Sequence, residues 1–559
     1  MIGALAASRL PNRLSVRLAR MQRVPEALVW QPEPPSKGDA AAGRRLTNGI
    51  LLFSGRLVET DRSDPWDITT NDPVWLGALH GQGWLDDIAA AHDPEAWETA
   101  RRWVWAWIER YHEGEGPGWQ PELVARRLTR WIAHSANLLM GRSGVWSQVF
   151  FKLLGTQMQY LLWRWQRTER DIDKIEALCG LCYATLCLEG SGTAVDRTLA
   201  DLGTWADRVI LPDGSVASRN PQDLAKVLAH MAWIYGVIEE QDLRAPIELV
   251  TALKRGAPAL EAIRFSQGRL ARFHGADATP HLAAITLPDF CPHGVTNEVS
   301  DAPAMGFARL TGGASELILD GAAPATGPYL ETSHASAMAF EMCHDGHPII
   351  VNCGPGTAFG AKFANASRRG RAHSTIEVAN RCAANVSPGK IDAPLGRLTA
   401  TGTVRAVVRQ SETENSIFAT STQYQQRYGL ICQRQIEMAL DGTSITGEDL
   451  IRARSPQDRS RFDAEFPDAA APCPVMTRFH LHPDVQPALA LSGKAVSLTL
   501  PNDVTWVLRA DPVPIALEPS VYFDHDRPTP RATQQIVVRT DVSGYLGRIT
   551  WSLERLPDL

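Results

Sequence analysis

The sequence predicts an α+β multidomain chain, a helical block followed by a block of antiparallel strands. Three observations predict it. The 559 residues exceed what one core serves and suggest two domains, possibly three. From about 72 to 265 the apolar residues recur at helical spacing, whereas after about 275 short alternating stretches are punctuated by turn residues. Helices first and strands second, in separate blocks, exclude a parallel α/β sheet. At 44% hydrophobic and 21% charged the composition is that of an ordinary soluble globular protein. A net charge of −6 argues against wholesale nucleic-acid binding. It leaves room for an anionic sugar, for which a few local arginines suffice.

The first stretch, MIGALAASRLPNRLSVRLARMQRV, has an apolar start of seven residues and then arginines at 9, 13, 17 and 20. A signal peptide carries its charges first and a longer apolar core after them. The expectation is a basic amphipathic helix, packed on its own domain or touching a membrane surface or partner. No apolar run reaches the ~20 residues of a spanning helix, so no transmembrane segment is expected. Without a signal peptide, the cytoplasm is expected rather than the periplasm. Residues 24–70, rich in Pro, Gly and Asp, form an irregular lead-in with a strand-like piece at Gly49–Val58.

Asp93-Pro94 is an N-cap followed by proline at the first helical position. It starts a helix over 95–112 crowded with Trp97, Trp103, Trp105 and Trp107. Further helices are predicted at about 120–140, 146–168, 171–189, 193–210, 220–240 and 243–265. Short loops make neighbours antiparallel, which fits a bundle, a solenoid or a closed toroid. Nine cysteines, an odd number, imply no disulfide framework and fit a reducing compartment. Cys179-Gly180-Leu181-Cys182 lies in an apolar helical run with no second pair, and reads as packing thiols.

Strands are predicted at Met305–Thr311, Glu316–Leu319, Ala335–Met342, Ser374–Val378, Thr403–Val408, Ile431–Leu440, Ser444–Asp449, Val496–Leu500 and Ile536–Arg539. They suggest an antiparallel sandwich or pair of sheets. The stretch Gly327–Gly354 is the most informative. His334, Ser336, Met338, Phe340 and Met342 fall on one face of a period-2 strand, Asp345-Gly346 supplies the turn, and His347–Asn352 returns.

This hairpin resembles the one that opens the β-domain of heparinase II/III-like polysaccharide lyases. The matching residues are His334-Ala335-Ser336, Ala339-Phe340-Glu341 and Val351-Asn352-Cys353-Gly354. Weaker patches follow in order from about residue 60 to the end: the His80–Leu85 stretch, Trp119-Gln120-Pro121 with Arg126, Arg127 and Trp131, Asp213-Gly214 with Arg219-Asn220-Pro221, and Arg368–Thr375. The resemblance implies an incomplete α/α toroid of antiparallel helix pairs followed by a C-terminal antiparallel β-sandwich. The expected division is a lead-in over 1–70, a toroid over 71–280 and a sandwich over 281–559.

The resemblance further implies β-elimination on a uronate-containing poly- or oligosaccharide in a cleft between toroid and sandwich. That reaction needs a group to neutralise the carboxylate, a base at C5 and an acid at the leaving oxygen. The catalytic candidates are His334, Tyr329 and Asn220. Each also has a plainer explanation. His334 can be a satisfied strand-end histidine and Tyr329 an amphipathic loop residue, and Asn220 before Pro221 is an N-cap. The substrate-binding candidates are His80, Trp84, Trp119, Arg126, Arg368, Arg371 and His373; the tryptophans can equally be helix-bundle core and the arginines a solvated turn. His480-x-His482 has metal-like spacing without an evident third ligand, and is read as structural.

Some members of the family carry a zinc held by two histidines and an aspartate. The matching positions are Ser336, Asn352 and His373, so no zinc and no other cofactor is expected. The Asn-His pair of many members is absent from Asp171–Glu176, and Gln222 and Asp223 stand where a tyrosine is expected after Asn220. The alternative is therefore a non-catalytic glycan-binding or scaffold protein that kept the lyase fold. A glycoside hydrolase would need two carboxylates roughly 5–9.5 Å apart, and no such pair is evident. The expected partner is an anionic glycan, with a homodimer as a further expectation.

Overall fold

The computed structural model describes residues 12–22, 25–60, 64–142, 144–277, 303–389, 395–468, 471–524 and 527–557. The chain forms two compact units. One runs to Leu211 and includes Lys226–Arg255; the other comprises Pro212–Ala225, Gly256–His525 and Thr529–Leu559.

The first unit is helical. Its main helices are Pro73–Gly81, Pro94–Tyr111, Pro121–Ala133, Gly144–Arg164, Asp171–Cys187 and Thr193–Val209. Local chemistry sets their starts. Asp72 and Asp93 cap helices that open with proline, their carboxylates accepting the Val74 and Glu95 amides at 3.0 and 2.9 Å. The helix expected over 120–140 is broken at His134 into two pieces. Trp75, Trp103, Trp107, Trp119 and Trp131 are fully buried and form an aromatic core. The strand-like piece near 49–58 is a hairpin, Ile50–Phe53 against Arg56–Glu59. Residues 12–19 are helical; Arg13 and Arg20 pair with Glu115 and Glu113, while residues 1–11 lie outside the described residues. Among the described residues no helix is long and apolar enough to cross a membrane.

The second unit holds two eight-stranded antiparallel sheets. One runs Val404–Gln410, Asn415–Ser421, Ile431–Met438, Ser444–Arg452, Leu546–Arg555, Thr505–Asp511, Ala495–Thr499, Gln486–Ala490. The other runs Ala516–Tyr522, Arg531–Val542, Cys473–Leu481, His347–Val351, Phe340–His344, Ser315–Asp320, Phe307–Gly312, with Ile376–Val378 beside Cys473–Leu481. Their inner faces share one core that includes Phe340, Phe479, Trp506 and Trp551. Phe340 stacks on Trp551 at 5.6 Å.

The hairpin at Asp345-Gly346 forms as expected, both turn residues at positive φ and His344 opposite His347. Its first strand, however, is shorter than expected. It begins at Phe340, not Ala335, because Met338 sits at φ 59° and the Ala339 amide turns back to the Ser336 carbonyl. Residues 334–339 are therefore a fixed loop, and the alternation of His334, Ser336 and Met338 does not place them on one strand face.

Candidate active site

In the second unit three histidines cluster around this loop. The His334 and His373 rings lie 5.2 Å apart, and those of His274 and His334 6.5 Å. All three are buried.

The backbone of His334 is held on both sides. The Ser333 carbonyl accepts Nε of Arg368 at 2.9 Å, and the His334 amide of the same peptide unit donates to Nδ1 of His274 at 3.3 Å. Arg368 gives its other N–H groups to the carbonyls of Leu330 and Gly396, so this guanidinium is committed to backbone. His274 in turn places Nε2 3.2 Å from Oδ2 of Asp320. With Nδ1 accepting, a neutral ring carries its proton on Nε2, facing that carboxylate; Arg219 Nη1 also lies 3.2 Å from Nε2, and its hydrogens are taken by the Ala322 and Ala323 carbonyls at 3.1 and 2.7 Å. Arg219 Nη2 reaches Oδ1 of Asp320 at 2.6 Å, and the Ser336 hydroxyl donates to Oδ2 at 2.7 Å. Burial pushes the Asp320 pKa up, but Arg219 and His274 outweigh it and hold the carboxyl well below its usual range.

His373 donates from Nδ1 to Oδ1 of Asn352 at 2.9 Å, and the Asn352 amide donates to Oε1 of Glu341 at 3.2 Å. Nε2 of His373 and Nδ1 of His334 are buried without a hydrogen-bond partner. Burial first, then His480 and His274, lowers the His373 pKa to about 3. Burial, His373, His274 and Arg368 likewise hold His334 well below 6.5, so both rings are neutral at pH 7.

Asn220 caps the helix Pro221–Glu239, its Oδ1 accepting the Gln222 and Asp223 amides at 2.8 and 3.3 Å. Its amide nitrogen then points elsewhere. A Cβ added to Gly275 would lie 3.5 Å from Nδ2 of Asn220, 3.7 Å from the Thr332 carbonyl oxygen and 3.9 Å from Nε2 of His334. Asn220 and His334 thus flank one point, and Gly275 keeps it clear. An amide donor on one side and a neutral imidazole on the other can bind a carboxylate and take up a proton.

The remaining candidates are placed as follows. Tyr329 is buried in the turn Gly327–Glu331, its carbonyl accepting the Ser333 hydroxyl at 2.9 Å. Arg371 is turned to Glu377 at 2.8 Å. His480 bonds Ser520 and the Arg371 carbonyl, each at 2.8 Å, in keeping with a structural histidine.

In the first unit, His80 accepts the Trp107 indole N–H at 3.0 Å, and burial lowers its pKa to about 3. Trp84 and Trp119 are buried, donating to the Leu79 and Tyr111 carbonyls. Trp84 packs on Trp103 and Trp119 on Trp107 and Tyr160, so their rings serve the helical core rather than a sugar face. Arg126 forms a two-pronged pair with Glu176 at 2.6 and 2.7 Å.

Sequence reasoning missed His274, Asp320 and Gly275. His274 and Gly275 lie at the junction of the helical and strand blocks, where neither periodicity applies, and Asp320 ends a strand as an ordinary charged residue.

The three positions that match the family's zinc ligands do not make a zinc set. Ser336 spends its hydroxyl on Asp320, Asn352 is a neutral amide engaged with Glu341 and His373, and of the three only His373 is a good zinc ligand. Among the described residues no group of three or more His, Cys, Asp or Glu is arranged to hold a metal.

Residues 294–552 match the family described as heparinase II/III-like, C-terminal. The chain has the fold of heparinase III. A crystal structure of heparinase III aligns at TM-score 0.66 and 12% identity, over 98% of this chain and 90% of that one. A mutant of the heparan sulfate lyase HepC from Pedobacter heparinus aligns at TM-score 0.61 and 14% identity, over 98% and 88%. The FtsZ-localized protein C of Caulobacter vibrioides is 27% identical over 551 residues, 98% of this chain and 92% of that protein.

Proposed function

We propose that this chain is a carbohydrate-active lyase that cleaves a uronate-containing poly- or oligosaccharide by β-elimination. The observation that carries the reading is the shared focus of Asn220 and His334 on the point left clear by Gly275. In this reading the Asn220 amide binds the uronate carboxylate, which makes the C5 proton more acidic. Neutral His334 takes that proton on Nε2. The C5–H electron pair forms the C4–C5 double bond as the C4–O bond breaks, and the leaving oxygen receives a proton, for which Tyr329 is the candidate donor. The heparinase II/III-like match over 294–552 supports the substrate class. Such a site works on neutral imidazole, and burial keeps His334 in that form.

A second reading is favoured by the full-length likeness to an FtsZ-localized protein. In it the fold is kept as a non-catalytic scaffold or glycan-binding module at FtsZ assemblies. One experiment separates the two. The purified chain is run against a panel of uronate polymers while the ultraviolet absorbance of an unsaturated uronate is followed, with His334→Ala and Asn220→Ala alongside. A rise that both substitutions abolish supports the lyase. No rise on any polymer, together with co-sedimentation of the chain with FtsZ filaments, supports the scaffold.

A further inference from the structure

We infer that His274, braced by Asp320 and Arg219, is the positioning residue that sets the His334 ring against Asn220. The inference rests on the lyase reading for its purpose, but its geometry stands apart from any turnover. His274 acts on the His334 backbone, its Nδ1 accepting the His334 amide while its Nε2 faces Asp320.

A histidine in a loop can rotate its ring only as far as its backbone allows. Here the peptide unit before His334 is fixed at its oxygen by Arg368 and at its N–H by His274, at 2.9 and 3.3 Å. The following amide, of Ala335, donates to the Arg368 carbonyl at 2.8 Å. The His274 contact requires a lone pair on Nδ1, so the ring proton must be on Nε2. Asp320 favours this, because a carboxylate 3.2 Å from Nε2 accepts a proton there and offers none, and Arg219 Nη1, equally near that nitrogen, has backbone carbonyls for its hydrogens. Arg219 keeps Asp320 ionised and in place at 2.6 Å, while it also donates to the Ala322 and Ala323 carbonyls at 3.1 and 2.7 Å. The chain of command is Arg219 to Asp320, Asp320 to the His274 tautomer, and His274 to the His334 amide. Charge at one end thereby fixes position at the other without placing a charge on either ring.

The test begins on the unsubstituted full chain, labelled with 15N in histidine only. Both partners of the N–H···N bond are then labelled, and a coupling through the hydrogen bond between the His334 amide nitrogen and His274 Nδ1 is expected. Its absence, with the His334 amide exchanging as fast as an unbonded one, overturns the inference whatever the activity. The second measurement compares His274→Phe with His274→Gln in amide exchange and in turnover of a uronate polymer. The expected result is loss of protection at the His334 amide while the Ala335 amide stays protected, with kcat down ~10- to 100-fold and KM within about twofold. Unchanged kcat in a variant whose His334 amide has lost protection overturns the positioning role. If the unsubstituted chain turns over no uronate polymer, the lyase reading fails alone. The imidazole 15N shifts of His334 then decide: a shift in both variants keeps the positioning role, and none removes it.

Discussion

Arg434 and Asp449 meet in the interior of the second unit as a two-pronged pair, Nε to Oδ1 at 2.6 Å and Nη2 to Oδ2 at 2.8 Å, both side chains fully buried. They sit opposite each other on adjacent strands. Arg434 also donates to the carbonyls of Met338 and Ser374, at 2.7 and 3.0 Å, and Thr477 donates to Asp449 at 2.6 Å. The pair therefore ties one sheet to the loop that carries His334 and to the strand start after His373.

Removing either partner leaves the other charge buried and alone. Asp449→Asn or Arg434→Met is expected to cost about 3–5 kcal/mol, read as a shift of the urea midpoint. The double substitution Arg434→Met with Asp449→Leu should recover much of that loss. It should not restore the His334 loop, because the Met338 and Ser374 carbonyls lose their donor. Recovery of stability without recovery of uronate turnover is the expected pair of outcomes.

Acid should weaken the chain, and the histidines fix where. His373 and His80 have pKa values lowered to about 3, and His480 and His230 to about 4, burial being the first cause in each. An unfolded histidine titrates near 6.5, so between that value and the folded one the unfolded chain binds more protons. Stability is then fully present above pH 6.5 and falls as the pH drops, by ~1.4 kcal/mol per pH unit per histidine. Glu122, raised to about 7 chiefly by burial, runs the opposite way, losing stability as the pH rises from about 4.5. The histidines outnumber it. The urea midpoint should fall steeply between pH 6.5 and 4.5, and His480→Gln should flatten that slope.

Much of the architecture was legible because periodicity and capping are local. The Asp93-Pro94 start, the Asp345-Gly346 turn and the change from helical to alternating texture each need only a few neighbouring residues. The candidate site was legible in part. His334, His373 and Asn220 carried the family pattern; the His373 ring lies beside that of His334, and Asn220 faces His334 across Gly275. His274 and Asp320 could not be found that way, since their roles arise from contacts between residues 46 and 101 positions apart: His274 with Asp320, and Arg219 with Asp320. The strand expected from Ala335 failed for a related reason. Alternation was present, but Met338 adopts positive φ where the chain turns, and the Arg368 and His274 hydrogen bonds outweigh local preference.

The Asn352 amide gives a prediction with a definite sign. Its backbone and side-chain nitrogens lie 3.0 and 3.2 Å from Oε1 of Glu341, where a carboxylate needs donors. Asn352→Asp replaces a donor with a second buried carboxylate. One of the two must then have its pKa raised. A raised carboxyl pKa stabilises below the unfolded value and loses that contribution as the pH rises through the folded one. The variant should be less stable than the natural chain by about 2–4 kcal/mol at pH 7, with the gap closing as the pH falls toward 5. A gap that stays constant over that range would mean that Glu341 does not feel the new charge.

Gly275 offers the sharpest separation of stability from chemistry. Its φ of 91° is one that side chains avoid, so Gly275→Ala should cost about 1–2 kcal/mol in thermal or urea unfolding. The added methyl would stand 3.5 Å from the Asn220 amide nitrogen and 3.9 Å from Nε2 of His334, at ordinary contact with both and clashing with neither. It therefore occupies the place a substrate atom would take without dismantling the groups around it. A chain that remains folded by circular dichroism and keeps the His334 amide protected, yet loses uronate turnover by at least ~100-fold, is the expected result. Turnover that falls only in proportion to the folded fraction would show that no reacting atom passes between Asn220 and His334.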